Sequence, residues 1–279
     1  MNVVNIKQKQ KRNDGLVYLP NETKPFTGMF VDWHPNGQKK DEVNYIDGWA
    51  VGTHTVWYNN AQKAVEYNYI DGKEDGKYTQ WYENGQKNRE SNYIDGKLDG
   101  KYTWWYENGA KAVEFNYIDG KKDGKDTHWH ENRNGTKAEE SNYIDGKKDG
   151  AHTVWHGNGT KWIEQYYKDG KEDGKYTQWY ENGTKAVESN YKDGKLDGKK
   201  TRWHGNGTKA EESNYIDGKL DGKYTRWIDN GLKYTGSNYI DGKKTSFIVM
   251  RLKKIGINPK KWYFVIFTVV IIFFLNQIH

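Results

Sequence analysis

The sequence predicts an all-β fold, an elongated single-layer antiparallel array of β-hairpins with a short apolar helix at its C-terminus. Three observations predict it. First, a tryptophan recurs at Trp33, Trp57, Trp81, Trp105, Trp129, Trp155, Trp179, Trp203 and Trp227, and seven of the eight intervals are 24 residues. The exception is 26, where Asn132-Arg133 is added beside Asn134-Gly135. Second, a Tyr-(Ile/Lys)-Asp-Gly tag recurs nine times, from Tyr45 to Tyr239. Third, a turn-forming glycine falls about every dozen residues, which leaves no room for long helices. A unit this short cannot bury a core alone, so its copies must stack.

Residues 1–24 come first, a polar and basic segment with five basic and two acidic side chains. They contain no apolar run of the kind a secretory signal needs. Residues 25–246 hold nine repeats, and Lys77 to Gly100 is representative: K-Y-T-Q-W-Y-E-N-G-Q-K-N-R-E-S-N-Y-I-D-G-K-L-D-G. Strand formers lie between Asn84-Gly85 and Asp95-Gly96. Both dipeptides favour the two-residue type I′ hairpin, which needs positive φ at both central residues. Asn60-Ala61 departs from the Asn-Gly pattern, so a different loop is expected there. The run after Gly96 is longer than the run before it. The surplus falls at Asp99-Gly100, which suggests a bulge or a close backbone approach.

Pairing across a two-residue Asn84-Gly85 loop sets Tyr82 opposite Lys87, Trp81 opposite Asn88 and Thr79 opposite Glu90. Opposed residues share a face. Thr79, Trp81, Asn88 and Glu90 are then expected on one face, and Tyr78, Tyr82, Lys87 and Tyr93 on the other. The lysine column is complete, from Lys39 to Lys233, and the glutamate column runs from Glu42 to Glu212 before Gly236 breaks it. Eighteen strands at ~4.8 Å would give a ribbon on the order of 85 Å long.

These residues resemble the variant MORN repeat. The shared pattern is D-G-K-x-D-G-K-Y-T-x-W-Y-E-N-G-x-K-x-x-E-x-N-Y, repeated over about residues 25–245. The resemblance implies a MORN-like solenoid used for protein–protein contact, self-association or scaffolding near membranes. Some bacterial members are named as antitoxins. It brings no catalytic residues. The first copy (Trp49-Ala50-Val51-Gly52 in place of K-x-D-G) and the last (Thr245-Ser246) depart from the pattern as capping ends would.

Residues 247–261 form a basic linker, and 262–279 are read as a C-terminal membrane anchor. Trp262 to Leu275 is apolar for 14 residues, with Thr268 its only hydroxyl. As a helix it would span ~21 Å, less than a ~30 Å hydrocarbon core. A buried segment or interfacial anchor and a sticky β segment are the other readings. The basic flank Arg251, Lys253, Lys254, Lys260, Lys261, followed by Trp262 and Tyr263, has the character of a membrane boundary and would leave the repeats facing the cytoplasm.

Charge and composition exclude several functions. The formal charge is +6, but residues 25–242 carry a net −4, so the positive charge sits in the tails. A nucleic-acid binder carries it on the folded array, so no nucleic-acid partner is expected. There is no cysteine for a disulfide or a thiolate metal site. Lysine follows nearly every Asp-Gly, which opposes calcium. The histidines, including His128, His130, His152 and His156, fall mostly in aromatic columns and not in a ligand set. The sequons at Asn21, Asn134, Asn158, Asn182 and Asn206 are mostly the Asn-Gly turn followed by threonine. No cofactor motif and no catalytic order stands out, and the chain is expected not to be an enzyme.

The expected function is a scaffold that binds a protein partner or itself, tethered to a membrane by its C-terminus. One alternative is an antitoxin or immunity protein. Another is an aromatic-cage array, since the composition is similar to that of choline- or glucan-binding repeats. Trp49, Trp104 and Trp162 lie outside the tryptophan column, so folding demands them less. They are the candidate interaction residues.

Overall fold

The computed structural model describes residues 2–131 and 135–245. The chain forms two compact units, Met1–Gly159 and Thr160–His279. Each is built on an antiparallel sheet of successive hairpins, and the only helical element among the described residues is the 3-10 turn Ile6–Gln8. The apolar helix expected near the C-terminus lies outside the described residues. So do the boundary residues Arg251, Lys253, Lys254, Lys260, Lys261, Trp262 and Tyr263.

The N-terminal unit begins with a folded cap that composition alone did not suggest. Strand Val3–Asn5 pairs in parallel with Gly28–Trp33, and Gln10–Lys11 pairs with Val17–Tyr18 in a small separate hairpin. Val17, Phe26, Phe30, Val43, Tyr45 and Ala50 close into an apolar cluster, with Val4, Ile6, Leu19 and Tyr69 against it. Phe30 is completely buried, 4.3 Å from the Phe26 ring and 5.5 Å edge-on to Tyr45. From there hairpins follow in chain order. Gly76–Trp81 pairs with Lys87–Ile94, and Gly100–Trp105 with Lys111–Ile118. The C-terminal unit repeats the plan from Lys161–Lys168 to Lys243–Thr245.

The two turns of each repeat differ. Asp95 and Gly96 have φ of 50° and 80°, the type I′ geometry expected of an Asp-Gly loop. The Asn-Gly turn is different. The Gly85 N–H donates to the Tyr82 carbonyl (2.9 Å), and the Tyr82 N–H donates to Gln86 (2.8 Å). Only Gly85 takes positive φ. This is a three-residue loop, a type I turn closed by a left-handed glycine. The asparagine closes the loop through its side chain, whose Oδ1 accepts the Gln86 N–H at 2.9 Å.

The longer loop shifts the register. Thr79 faces Glu90 as expected, but Trp81 faces Lys87, and Asn88 is the extra residue of a bulge. The expected pairs Tyr82–Lys87 and Trp81–Asn88 do not form. Regular alternation would put Lys87 and Glu90 on opposite faces; the bulge brings them to one. The lysine column therefore lies on the tryptophan face and not on the tyrosine face. The same shift occurs in the first, second, fourth and fifth repeats.

Asn60-Ala61 keeps the common loop, in contrast to the expectation. The Ala61 N–H donates to the Tyr58 carbonyl at 3.0 Å, and Ala61 takes φ 65°. Left-handed backbone costs a residue with a Cβ about 1–2 kcal/mol, part of which glycine returns through its freer unfolded state. Ala61→Gly should therefore raise stability by about 0.5–1 kcal/mol in urea unfolding. A loss of stability would show that the loop is not held in this geometry.

Candidate interaction surfaces

Each hairpin presents two faces and two rims, and the repeat stacks them into columns. On the first face, Trp81 and Lys87 lie nearest the Asn-Gly turn. Thr79 and Glu90 follow, then Lys77 and Asn92, and Ile94 lies nearest the Asp-Gly turn. Glu90 is gripped by Lys77 at 3.0 Å and Lys87 at 2.6 Å. Glu114 is held alike by Lys101 and Lys111, and Glu212 by Lys199 and Lys209. Burial by itself would raise Glu90, Glu114 and Glu140, but the paired lysines outweigh it and hold all three below the usual glutamate range. Their contribution to stability is thus present above the unfolded pKa of about 4.3 and lost as pH falls through the lower folded values. Acid titration followed by tryptophan fluorescence should show the signal steady down to about pH 4 and changing below it.

Lysine also covers the tryptophans. Lys87 lies over the Trp105 ring of the next repeat at 5.7 Å, Lys111 over Trp129 at 5.3 Å, and Lys209 over Trp227 at 6.0 Å. The position a cationic ligand would take on each ring is thus filled by the chain itself.

The second face is aromatic. Tyr78, Tyr93, Tyr102, Phe115 and Tyr117 stack along it, with Tyr102 and Phe115 parallel at 4.5 Å. The buried Ser91 faces Tyr78. Arg89 lies over Tyr78 and Tyr102 and donates to the Tyr93 hydroxyl at 2.7 Å. In the fifth and sixth repeats this column turns polar. Asp126 is buried, 2.7 Å from Lys122 and 3.0 Å from His128. Burial would raise its carboxyl, and these two neighbours instead hold it below the ordinary range. Ser141 Oγ lies 2.8 Å from His152 Nδ1, with Glu139 3.6 Å from that same nitrogen. Burial, then Lys148, lowers the His152 pKa. Because serine and glutamate meet one ring nitrogen, the imidazole does not stand between them as a relay requires.

The rims join one repeat to the next. At the Asn-Gly rim, Asn84 donates to the Glu107 carbonyl at 3.1 Å, and the Tyr82 hydroxyl donates to Trp105 at 2.8 Å. Asn60 and Tyr58, and in the other unit Asn182 and Tyr180, make the same links. At the Asp-Gly rim, the Gly96 N–H donates to Glu74 at 2.8 Å, and the Asp95 N–H donates to the Asp75 carboxylate at 3.1 Å. Lys73 pairs with Asp95 at 2.5 Å, and Lys97 with Asp119 at 2.6 Å. The repeated aspartates thus hold backbone and lysine. No cluster of metal-ligating side chains occurs among the described residues.

The three tryptophans outside the column are not brought together. Trp49 pairs with Ile46 at the Asp-Gly rim, in the position Lys73 and Lys97 take later. Its ring lies on the next turn, where a Cβ added to Gly72 would meet Trp49 at 2.3 Å. Trp104 is on the aromatic face, opposite Arg89 and Val113, with its ring 5.4 Å from Tyr106. Trp162 lies in strand Lys161–Lys168 of the C-terminal unit and is exposed.

One surface escaped the sequence reading. Ile46, Ile70, Ile94, Ile118 and Ile144, one in each of five successive repeats, are 53–59 % exposed. They form a row on the tryptophan face beside the Asp-Gly rim. The signal was available: Lys168 and Lys192 occupy the same position in two later repeats. A site that accepts lysine faces solvent.

Residues 74–95, 98–119 and 172–193 match the family model of the MORN repeat variant. The resemblance read from the sequence is shown at these three positions, and the chain carries MORN-variant repeats there. No match is found among curated proteins. Among solved structures, one described as "Crystal Structure of TcdB2-TccC3" aligns at 11% identity with a TM-score of 0.20. The alignment covers 81% of this chain and 15% of that one, and likeness at this level carries no argument.

Proposed function

We propose that the array is a non-enzymatic scaffold that docks a protein through the tryptophan face. One observation carries this reading. The turn polar groups and the rim aspartates are bound to neighbouring repeats, and the lysine–glutamate columns are paired within their own hairpins. An apolar row that recurs in each of the first five hairpins is left facing solvent. Exposed apolar surface in a continuous row marks an interaction site, and stacked repeats offer it as an extended strip. A pull-down with the full chain should return a protein that is lost when Ile70 and Ile118 are both changed to lysine. Retention of that protein by the double variant would refute docking at this face.

The tether reading rests on the run Trp262 to Leu275 and its basic flank. Among the described residues, no helix is long and apolar enough to cross a membrane. Membrane fractionation of the full chain beside a form ending at Ser246 tests it. The full chain should sediment and resist carbonate, and sedimentation of the shortened form would defeat the reading. An antitoxin or immunity role is a special case of docking in which the captured protein is a toxin. The mildly acidic array supports a basic partner for that role.

A further inference from the structure

The isoleucine row has features of its own. Its gaps are not polar. In each hairpin the residue opposite the isoleucine shares its face, and this is Trp49 opposite Ile46, Lys73 opposite Ile70, and Lys97 opposite Ile94. The lysine stems run along the row over the next Asp-Gly turn, where the Lys97 Cβ would lie 3.9 Å from a Cβ added to Gly120. The ammonium groups of Lys73, Lys97 and Lys121, the last opposite Ile118, end on Asp95, Asp119 and Asp145. Methylene stems therefore join one isoleucine to the next, and each charge is cancelled locally. At the head of the row the 44 % exposed Trp49 takes the lysine's place. Tryptophan is the side chain most often found at the energetic centre of an interface.

From this we infer that the row Ile46, Trp49, Ile70, Ile94, Ile118, Ile144 is the surface through which two copies of the chain associate side by side. This rests on the docking reading above and names its partner. Three arguments select a second copy. Lys73, Lys97 and Lys121 along the row are each paired with an aspartate, so these lysines ask for no charged partner. Its apolar groups recur at two strand spacings, ~9.6 Å, a pitch that another copy reproduces without adjustment. Its area also suffices. With roughly 100 Å² open on each isoleucine, five bury on the order of 1,000 Å² across a pair of copies, the threshold of a specific interface, before Trp49 and the lysine stems are counted.

Two identical rows meet by a two-fold axis, which makes the contact isologous and closed. With five isoleucines the axis falls at the middle one. Ile94 then meets Ile94 of the second copy, Ile70 meets Ile118, and Ile46 meets Ile144. The row ends where the sequence changes, since Lys168 and Lys192 hold the position in the next two repeats.

The chain has no cysteine, so a single introduced thiol reports on this arrangement directly. Full-length Ile94→Cys, oxidised mildly in its native membrane or lysate fraction, should form a disulfide-linked dimer on a non-reducing gel. Ile216→Cys is the control: it holds the same place in a C-terminal repeat, is 56 % exposed, and lies outside the row. It should cross-link several-fold less. Adding Ile70→Lys and Ile118→Lys to Ile94→Cys should remove the cross-link, and these substitutions use the residue that later repeats already carry. Equal cross-linking at positions 94 and 216 overturns the second-copy inference, and so does its survival in the triple variant. If the cross-link fails while the double lysine variant still loses a captured protein, the row binds a different partner and docking stands. If nothing is lost in either assay, both readings fall.

Discussion

Phe30→Ala should cost about 3–5 kcal/mol, the loss expected when a buried phenylalanine is cut back and its cavity does not collapse. Phe30 is the largest side chain with no solvent exposure among the described residues, and it belongs to the apolar cluster of the N-terminal cap. Its surroundings cannot easily close over the gap. Phe26 and Tyr45 are themselves held by the strands on either side, and Gly28 already approaches Asn2 and Phe26 too closely to admit a Cβ. The cap also ends a stack in which each hairpin is supported mainly by its neighbours, so its loss exposes the first hairpin to fraying. Urea unfolding monitored by circular dichroism measures the change. Phe115→Ala, on the half-buried aromatic face, should cost less and serves as the internal comparison. A loss under about 1 kcal/mol for Phe30→Ala would mean that the cap is not a packed core.

Alkali should unfold the array through its tyrosines. Burial raises the phenols of Tyr67, Tyr78, Tyr102, Tyr143, Tyr176 and Tyr191, with a further push on Tyr67 from the Tyr69 hydroxyl. A raised phenol favours the neutral form in the folded state. Its contribution is fully present below the unfolded pKa of about 10 and is lost as pH rises from there through the folded values. The six groups act in the same direction. Absorbance of the tyrosinate should therefore lag beyond pH ~10 and then rise together with loss of sheet. Ordinary titration of these tyrosines near pH 10 with the sheet intact would contradict their burial.

The repeat itself was legible because its turns use residues with few conformational options. Asp-Gly at 95–96 fixed one loop correctly. Asn84-Gly85 misled, because asparagine also serves as an acceptor for the N–H two residues on and as a donor to the neighbouring turn, and those uses favour a type I turn with glycine alone left-handed. That single extra loop residue moved Lys87 across the sheet. The bulge at Asn88 could not be read from alternation, since alternation is what it breaks. The N-terminal cap was missed for a different reason. Its apolar residues, such as Val4, Ile6, Val17 and Leu19, are spread through a basic segment and meet only in three dimensions. Trp49 was singled out because it lies outside the tryptophan column. Its neighbours in the isoleucine row were hidden because a residue that recurs in five successive repeats looks like part of the framework.

Outside the 26-residue interval, the rim links keep a constant offset. Tyr58 reaches Trp81, and Tyr82 reaches Trp105, across the same number of residues; Lys97 reaches Asp119 as Lys73 reaches Asp95. Every repeat thus offers its successor the partners it takes from its predecessor. A gene that duplicated or deleted one whole repeat in frame would encode a chain in which each remaining link still closes. Unequal recombination between such similar segments is therefore a tolerated event, and the number of repeats is a trait that can drift between related genomes while the fold persists. The isoleucine row does not share this freedom: an odd count puts a side chain on the dyad and an even count puts a gap there, so its length is the quantity on which selection would act.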